Sequence, residues 1–292
     1  MLLEKPVENF LNDKSLDFPF CICWANEHWT KAWVSKESRV LIEQKYGGEK
    51  EWKEHFYYLL PFLKDERYIK IDGYPLFIIY RPELIDCNND MIDCWQKLAK
   101  ENDLPGLKFA YQHVGLELVN NKDDSRYDYN IESQPIYAKT FMDSIKNCNP
   151  FTKLRRKILL KLEKNKIDLA AYFINKVTKI DYEKVWQYII NSKPLSKKSI
   201  PCAFVDFDNT SRRKEKGTVY VGANPEKFYY YFEKLVKKAK TDFHSDLLFI
   251  FSWNEWAEGG ALEPDEHFKY GYLEAISRAL KENNEFPNNT AN

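Results

Sequence analysis

The sequence predicts a parallel α/β fold of the (β/α)8 barrel type, and three observations support this prediction. Short apolar segments alternate along the chain with longer segments of helical periodicity. Most of the apolar segments are nearly continuous, which is typical of parallel strands that are covered on both faces. Polar or aromatic residues follow each segment, as they do at the functional rim of a barrel. The predicted strands are residues 18–24, 76–80, 107–112, 129–133, 202–207 and 247–253.

The segments between these strands have the spacing of amphipathic helices. Residues 52–63 place aromatic and leucine side chains on one stripe, where Pro61 should introduce a kink. Asn224 and Pro225 predict an N-cap and a first-turn proline at the start of a later helix. The last helix is predicted to bury one face, formed by Leu273, Ile276 and Leu280. Helices between consecutive strands are what a parallel sheet requires.

The strand exits distinguish a barrel from an open dinucleotide-binding sheet. No glycine-rich phosphate loop follows any predicted strand, which argues against a dinucleotide fold. We therefore predict a single barrel domain over residues 1–292, incomplete because six strands are counted where a barrel has eight.

Residues 139–199 differ in charge from the rest of the chain. They hold 15 Lys or Arg against 5 Asp or Glu, a net charge of +10 in a chain whose formal net charge is zero. We predict a basic helical insertion within the barrel, with helical patterns at 169–177 and 182–190. Its segment 153–167 (KLRRKILLKLEKNKI) is amphipathic and could contact an anionic membrane. The alternative is that these helices pack on the acidic outer wall of the barrel or on each other.

Composition excludes several classes of protein. The 44 basic residues equal the 44 acidic ones, so no global field recruits nucleic acid. The first residues contain no apolar stretch of signal-peptide length, and no stretch approaches the ~20 residues that cross a bilayer. The six cysteines lack CxxC spacing, which argues against zinc and disulfides. We expect a soluble cytoplasmic protein with reduced thiols.

The segment FSWNEWAEGGALEPDE, residues 251–266, is the strongest indication of chemistry. Glu255 and Glu258 follow an apolar strand three residues apart, among Trp253, Asn254 and Trp256. If this stretch turns helically, the two carboxyl groups lie on one face. Two carboxyl groups about 5–5.5 Å apart are the catalytic pair of a retaining glycosidase. The alternative is a solvated acidic loop anchored by tryptophan.

Two further segments suit sugar recognition. Residues 23–33 (CWANEHWTKAW) combine tryptophans with Asn26 and Glu27, although core packing and helix capping would explain them equally well. Asp206 and Asp208 follow an apolar strand and could bind Mg²⁺ or Mn²⁺, although hydroxyl binding and structural roles are alternatives. His113 could be a ligand or an acid/base, but a lone histidine is more often satisfied locally.

These observations predict Glu255 and Glu258 as catalytic residues, with no metal or cofactor. The predicted substrate-binding residues are those at the strand exits and beside the glutamates: Trp24, Asn26, Glu27, Trp29, Tyr80, Arg81, Gln112, Asp206, Asp208, Trp253, Asn254, Trp256 and Glu263.

The glutamate segment also carries a resemblance to a known group. WNEWAEG followed by LEPDE resembles the terminal signature of the glycoside hydrolase family 99-like proteins, specifically the WbsX-type group of lipopolysaccharide and O-antigen synthesis. The segments FPFCICWANEHWT, VLIEQKYGG, HFYYLLPFLKDERYIKIDGYPLFIIYRPELI and FDNTSRR resemble other blocks of that group in the same order. The resemblance covers most of the chain outside 139–199, and it implies an oligosaccharide or lipid-linked glycan as substrate.

The resemblance implies a mechanism as well. The related endo-mannosidases are (β/α)8 barrels that act with retention. Their first signature glutamate deprotonates the substrate 2-hydroxyl, which attacks the anomeric carbon, and their second is general acid and then base. These roles would fall on Glu255 and Glu258. The signature has His where this chain has Ala257, and residues 260–262 also differ, so mannoside specificity does not carry over.

Members of this group usually begin with a further segment of about two strands, which would account for the count of six. We therefore expect an upstream-encoded segment to complete the barrel. Two other functions are consistent with the sequence: a metal-dependent nucleotide-sugar glycosyltransferase using Asp206 and Asp208, and a non-catalytic glycan-binding remnant.

Overall fold

The computed structural model describes residues 4–30, 40–113, 123–147 and 177–287. They form two compact units: the first comprises described residues up to Asn130, and the second comprises those from Ile131 onward. The amphipathic segment 153–167 and the helical pattern at 169–176 lie outside the described residues. The predictions of a single domain and of a basic insertion therefore stay predictions.

The first unit opens with a short helix and then alternates strands with helices. Its elements are α1 (Lys5–Asn12), β1 (Ile22–Trp24), β2 (Trp29–Thr30), β3 (Val40–Ile42), α2 (Glu49–Leu63), β4 (Lys70–Ile71), β5 (Tyr74–Ile79), α3 (Asn88–Glu101), β6 (Lys108–His113) and β7 (Tyr129–Glu132), whose last residues enter the second unit.

The second unit has the same alternation, with shorter strands. Its elements are α4 (Ile136–Asn147), β8 (Thr178–Asp181), α5 (Tyr182–Asn191), β9 (Ser199–Ile200), β10 (Cys202–Phe204), α6 (Thr210–Arg213), β11 (Thr218–Val221), α7 (Pro225–Thr241), β12 (Phe249–Phe251), β13 (Asn254–Glu255), β14 (Gly260–Ala261) and α8 (Gly271–Glu282).

Parallel pairing confirms the predicted α/β class. All six predicted apolar segments contain strands, namely β1, β5, β6, β7, β10 and β12. In the first unit β5 pairs in parallel with β1 and with β6, and in the second unit β10 pairs in parallel with β12. No strand pairing that would close a ring occurs among the described residues, which agrees with the prediction of an incomplete barrel.

Each unit has its own aromatic core. In the first unit the Trp95 indole is fully buried and contacts Phe77 edge-on at 5.2 Å between ring centroids. In the second unit Trp186 is fully buried and lies parallel to Phe204 at 5.3 Å and to Tyr231 at 5.7 Å. Strand side chains thus meet helix side chains within each unit, as continuous apolar strands require.

The predicted helices are observed, with two differences. Asn224 caps α7 as predicted, because its side chain accepts a hydrogen bond from the Lys227 amide at 2.9 Å. Pro61 lies in the last turn of α2, which continues for two residues beyond it. The buried face of α8 is shifted from the predicted stripe, because small alanines permit the closest packing there. Its fully buried residues are Tyr272, Ala275 and Ala279, whereas Leu273, Ile276 and Leu280 are partly buried against the same core.

In the part of the chain that the structure describes, no helix has both the length and the apolarity needed to span a bilayer. The five cysteines within these ranges are free thiols.

Candidate active site

The two predicted catalytic glutamates lie at the carboxyl end of β12, on a tight turn. Glu255 ends β13, and a 3₁₀ turn runs from Trp256 to Glu258. The Ser252 hydroxyl fixes the entry to this turn, since it donates to the Gly260 carbonyl and accepts from the Glu255 amide at 3.0 Å. The two glutamates are thus joined by a 3₁₀ turn, which is a helical turn of the tighter kind.

Gly259 ends the turn and is required there for two reasons. Its φ of +68° is in the left-handed region, which side chains with a Cβ rarely adopt. A Cβ at this position would also lie 2.9 Å from the Asp208 amide nitrogen. This close approach allows the Asp208 amide to donate to the Glu258 carbonyl at 2.7 Å. The segment after β10 is thereby fastened to the glutamate turn.

One arginine from the β10 side contacts both glutamates. Arg212, in α6, places Nη2 at 3.2 Å from Oε1 of Glu255 and Nη1 at 3.7 Å from Oε1 of Glu258. Ser211 adds a hydrogen bond from its hydroxyl to the Ala257 carbonyl at 3.1 Å. Because β10 and β12 are parallel neighbours, the residues that follow them meet at one end of the pair.

The two carboxyl groups have different environments. The side chain of Glu258 is 14% exposed, against 39% for Glu255. Burial raises the pKa of Glu258, and the negative charge of Glu255 raises it further, while Arg212 and Arg213 oppose this shift. Such an asymmetric pair can keep one carboxyl group protonated beside an ionised one.

Two tryptophans beside the glutamates are half exposed. Trp253 and Trp256 are 53% and 52% exposed. The indole Nε1 of Trp256 donates to Oε2 of Glu263 at 2.7 Å, which fixes the orientation of the ring. Exposed, oriented aromatic faces suit stacking on the apolar face of a sugar ring. The structure thus brings together the predicted residues Trp256, Glu263, Glu255 and Glu258.

The two aspartates that follow β10 differ from each other. Burial raises the pKa of Asp206 to about 6, and Asp208 adds to the shift, although the Phe207 amide donates to Asp206 at 2.7 Å. Oδ1 of Asp208 accepts from both the amide and the hydroxyl of Thr210, at 2.8 and 2.6 Å. No cluster of three or more His, Cys, Asp or Glu suited to a metal ion is found over the described ranges.

In the first unit, Asn26 and Arg81 form one fixed arrangement. The Asn26 side chain donates to the Arg81 carbonyl and accepts from the Arg81 amide, both at 2.7 Å. The Arg81 guanidinium then contacts Glu27 at 2.7 Å and also Glu83. Asn26 is fully buried, so it positions Arg81, whereas Glu27 and Arg81 remain partly exposed.

Replacing Asn26 by alanine should destabilise the protein, because it leaves the amide and the carbonyl of Arg81 without their partner. Each buried group left unsatisfied costs about 1–3 kcal/mol. Urea denaturation would measure this change in the free energy of unfolding. Asn89→Ala is the matched control, since the Asn89 side chain donates to the Asp123 carboxylate at an exposed position and accepts from the neighbouring Asn88 side chain, and its loss should cost less than about 0.5 kcal/mol. Equal midpoints for the two variants would contradict the positioning role of Asn26.

The remaining predicted residues of the first unit are also described. Trp24, at the end of β1, contacts Tyr46 and His55 edge-on, and its carbonyl accepts from the Tyr80 amide at 3.0 Å. Gln112 in β6 donates to the Cys23 sulfur at 3.4 Å. Trp29 lies in the two-stranded β2–β3 ribbon and is 53% exposed. Trp24 is therefore partly a core residue, whereas Trp29 offers a free ring face.

Arg212 is absent from the site residues predicted from sequence. It lies in the FDNTSRR segment, four residues after Asp208, but the sequence does not distinguish it from Arg213 beside it. His113, by contrast, is buried in β6, where its ring centroid lies 6.3 Å from that of Tyr111.

Two curated relatives come from Xanthomonas campestris pv. campestris, one from strain ATCC 33913 and one from strain B100, and both are named uncharacterized protein WxcX. They are 26% identical over 285 residues and 27% identical over 282 residues. The match covers 96% of this chain and 37% of each relative, so the chain spans little more than a third of their length.

Solved structures with some likeness are glycoside hydrolases or related proteins. A glycoside hydrolase-like protein is 13% identical with a TM-score of 0.48, covering 78% of this chain and 60% of its own. A GH99 endo-α-mannosidase from Bacteroides thetaiotaomicron is 14% identical with a TM-score of 0.42, covering 91% of this chain and 74% of its own. At these identities the likeness does not extend to function.

The family comparison agrees with the resemblance carried by the glutamate signature. The model of the family described as Glycosyltransferase WbsX matches residues 1–276, and the chain therefore belongs to the WbsX glycosyltransferase family.

Proposed function

We propose that this protein is a carbohydrate-active enzyme that cleaves or transfers a glycosyl unit with Glu255 and Glu258. The observation that carries the proposal is the glutamate pair itself: two carboxyl groups share one guanidinium, and one of them is buried with a raised pKa. Glycosyl transfer needs this combination, because the leaving oxygen must be protonated while a second carboxylate remains ionised. Membership of a glycosyltransferase family supports it.

Glu258 is the proposed general acid, since it is the more buried carboxyl group. It would protonate the leaving oxygen and later deprotonate the incoming acceptor or water. Glu255 would act as the partner base. The resemblance implies that it removes the proton of the substrate 2-hydroxyl, so that this oxygen displaces the leaving group from the anomeric carbon and forms a 1,2-anhydro sugar. The acceptor or water then opens that ring at the anomeric carbon while Glu255 returns the proton to the 2-oxygen, and the two inversions together retain the configuration.

The proposed substrate is an oligosaccharide or a lipid-linked glycan of lipopolysaccharide or O-antigen synthesis, as the resemblance implies. Trp253 and Trp256 would stack on its sugar rings, since both rings are half exposed beside the glutamates. The proposal has three further parts. The protein acts at the cytoplasmic face, its segment 153–167 contacts anionic membrane, and an upstream-encoded segment completes the barrel.

A metal-dependent nucleotide-sugar glycosyltransferase is the second candidate. It is favoured by the placement of Asp206 and Asp208 together after β10, where carboxylate oxygens could bind Mg²⁺ or Mn²⁺. In that case the diphosphate of the donor would bind through the metal. Asp206 would be the freer ligand, because Oδ1 of Asp208 is already bonded to Thr210.

Chelation distinguishes the two candidates. We expect turnover of a panel of aryl glycosides and end-labelled oligosaccharides to be unchanged by EDTA, with the first product retaining the substrate configuration in proton NMR. Activity that requires a nucleotide sugar and is abolished by EDTA would favour the metal-dependent reaction instead. If the protein binds glycans but turns over neither kind of substrate, it is a non-catalytic glycan-binding protein.

A further inference from the structure

We propose that Arg212 is a positioning residue that holds Glu255 and Glu258 at a fixed separation and sets their relative protonation. The role of Arg212 in catalysis rests on the proposed function. The arrangement itself rests only on the contacts that the Arg212 side chain makes.

The guanidinium uses its two terminal nitrogens separately. Nη2 faces Glu255 at 3.2 Å, and Nη1 faces Glu258 at 3.7 Å. Because the guanidinium is planar and rigid, the two carboxylate oxygens cannot move independently while both contacts persist. A lysine ammonium is a single point and cannot reproduce two fixed directions. Arg212 therefore acts as a spacer between the acids as well as a charge.

The backbone around Arg212 is fastened to the same turn that carries the glutamates. Ser211 bonds to the Ala257 carbonyl, and the Asp208 amide bonds to the Glu258 carbonyl. Both contacts are made by residues that precede Arg212 in the chain, one of them directly next to it. The arginine is thus held in register with the glutamates by groups that do not titrate.

The charged groups that act on Glu258 are Glu255, Arg212 and Arg213. The last two come from α6, which packs against the 3₁₀ turn, whereas β14 on its other side consists of Gly260 and Ala261 and adds no charge. Arg212 is 35% exposed, so its effect is partly screened by solvent. Removal of the Arg212 charge should raise the pKa of Glu258 further, because this carboxylate loses a contacting cation.

Carboxyl ¹³C NMR of the full chain, labelled at glutamate Cδ, tests this without any substrate. Signals of Glu255 and Glu258 are assigned by their loss in Glu255→Gln and Glu258→Gln. In Arg212→Gln we expect the pKa of Glu258 to rise by about 1 unit or more, as expected when a contacting arginine is removed. Arg213→Gln is the matched control, and its shift should be clearly smaller.

Arg212→Lys provides a second variant that keeps the charge. It should raise the pKa of Glu258 above the wild-type value, although less than Arg212→Gln does, since a single ammonium cannot reproduce both directed contacts. The proposal would be overturned if Glu258 had the same pKa in the wild type, in Arg212→Gln and in Arg212→Lys. If the glutamine variant does not fold, the comparison of the wild type with Arg212→Lys decides. If the Arg212 variants shift the pKa of Glu258 but the wild-type protein turns over no glycoside, the proposed function is removed and the electrostatic role of Arg212 is kept.

Discussion

Replacement of Glu258 by glutamine should lower turnover of an unactivated glycoside by about 10²–10⁴-fold, the usual contribution of a general acid. The variant keeps the shape of the side chain, so glycan binding should persist. A substrate with a good leaving group needs less protonation and should lose much less. Comparing initial rates on the two kinds of substrate measures this difference directly.

The same acid sets a pH dependence. Because the pKa of Glu258 is raised by burial and by Glu255, its protonated form persists to higher pH than that of an ordinary glutamate. Activity should therefore fall on the alkaline side as pH rises through that raised pKa, and Glu258→Gln should lack this limb.

Glu255→Gln should be slow on both kinds of substrate, since the partner base is needed whatever the leaving group. Glu266→Gln is the control, because Glu266 is an exposed glutamate of the same segment that lies eight residues beyond Glu258. Wild-type rates for Glu255→Gln or Glu258→Gln would remove those residues from the mechanism.

Trp186→Ala should be the most destabilising single substitution in the second unit. The indole is fully buried and lies parallel to Phe204 and Tyr231, at interplanar angles of 13° and 10°. Truncating a buried tryptophan costs about 3–5 kcal/mol, since it removes apolar contact and leaves a cavity. Hydrogen exchange of β10 and α7, which carry Phe204 and Tyr231, would report the loss locally.

Trp186→Phe is the matched variant for this test. Phenylalanine keeps part of the stacked surface and should lose substantially less stability than alanine. Similar exchange rates in the wild type and Trp186→Ala would show that this aromatic stack does not hold the second unit together.

The strands that precede the candidate site residues are predicted well from the sequence, because most of their residues are apolar on both faces. β1, β5, β6, β7, β10 and β12 all arise from such segments. The short strands were not predictable in the same way. β8 (Thr178–Asp181) has the mixed polarity of a surface turn, whereas its parallel partner β11 (Thr218–Val221) has strand-forming residues but is only four residues long.

The candidate site was partly predictable. The two glutamates and the tryptophans are visible because their residue types are rare in combination. Arg212 was not, because a single arginine in a basic stretch looks like a solvated surface residue until folding brings α6 to the glutamate turn. Asn26 was predicted to bind substrate, whereas its full burial against the Arg81 backbone assigns it a positioning role.

The attachment of Asp208 to Glu258 has a consequence for how the enzyme could diversify. Glu258, the proposed general acid, is held through its backbone by a glycine turn and by a hydrogen bond between main-chain groups. Changes at the half-exposed Trp253 or Trp256 could therefore alter which sugar is accepted while Glu258 stays in place. If the proposed function holds, these two tryptophans are the positions at which specificity can be redesigned without disturbing the backbone that carries the glutamates.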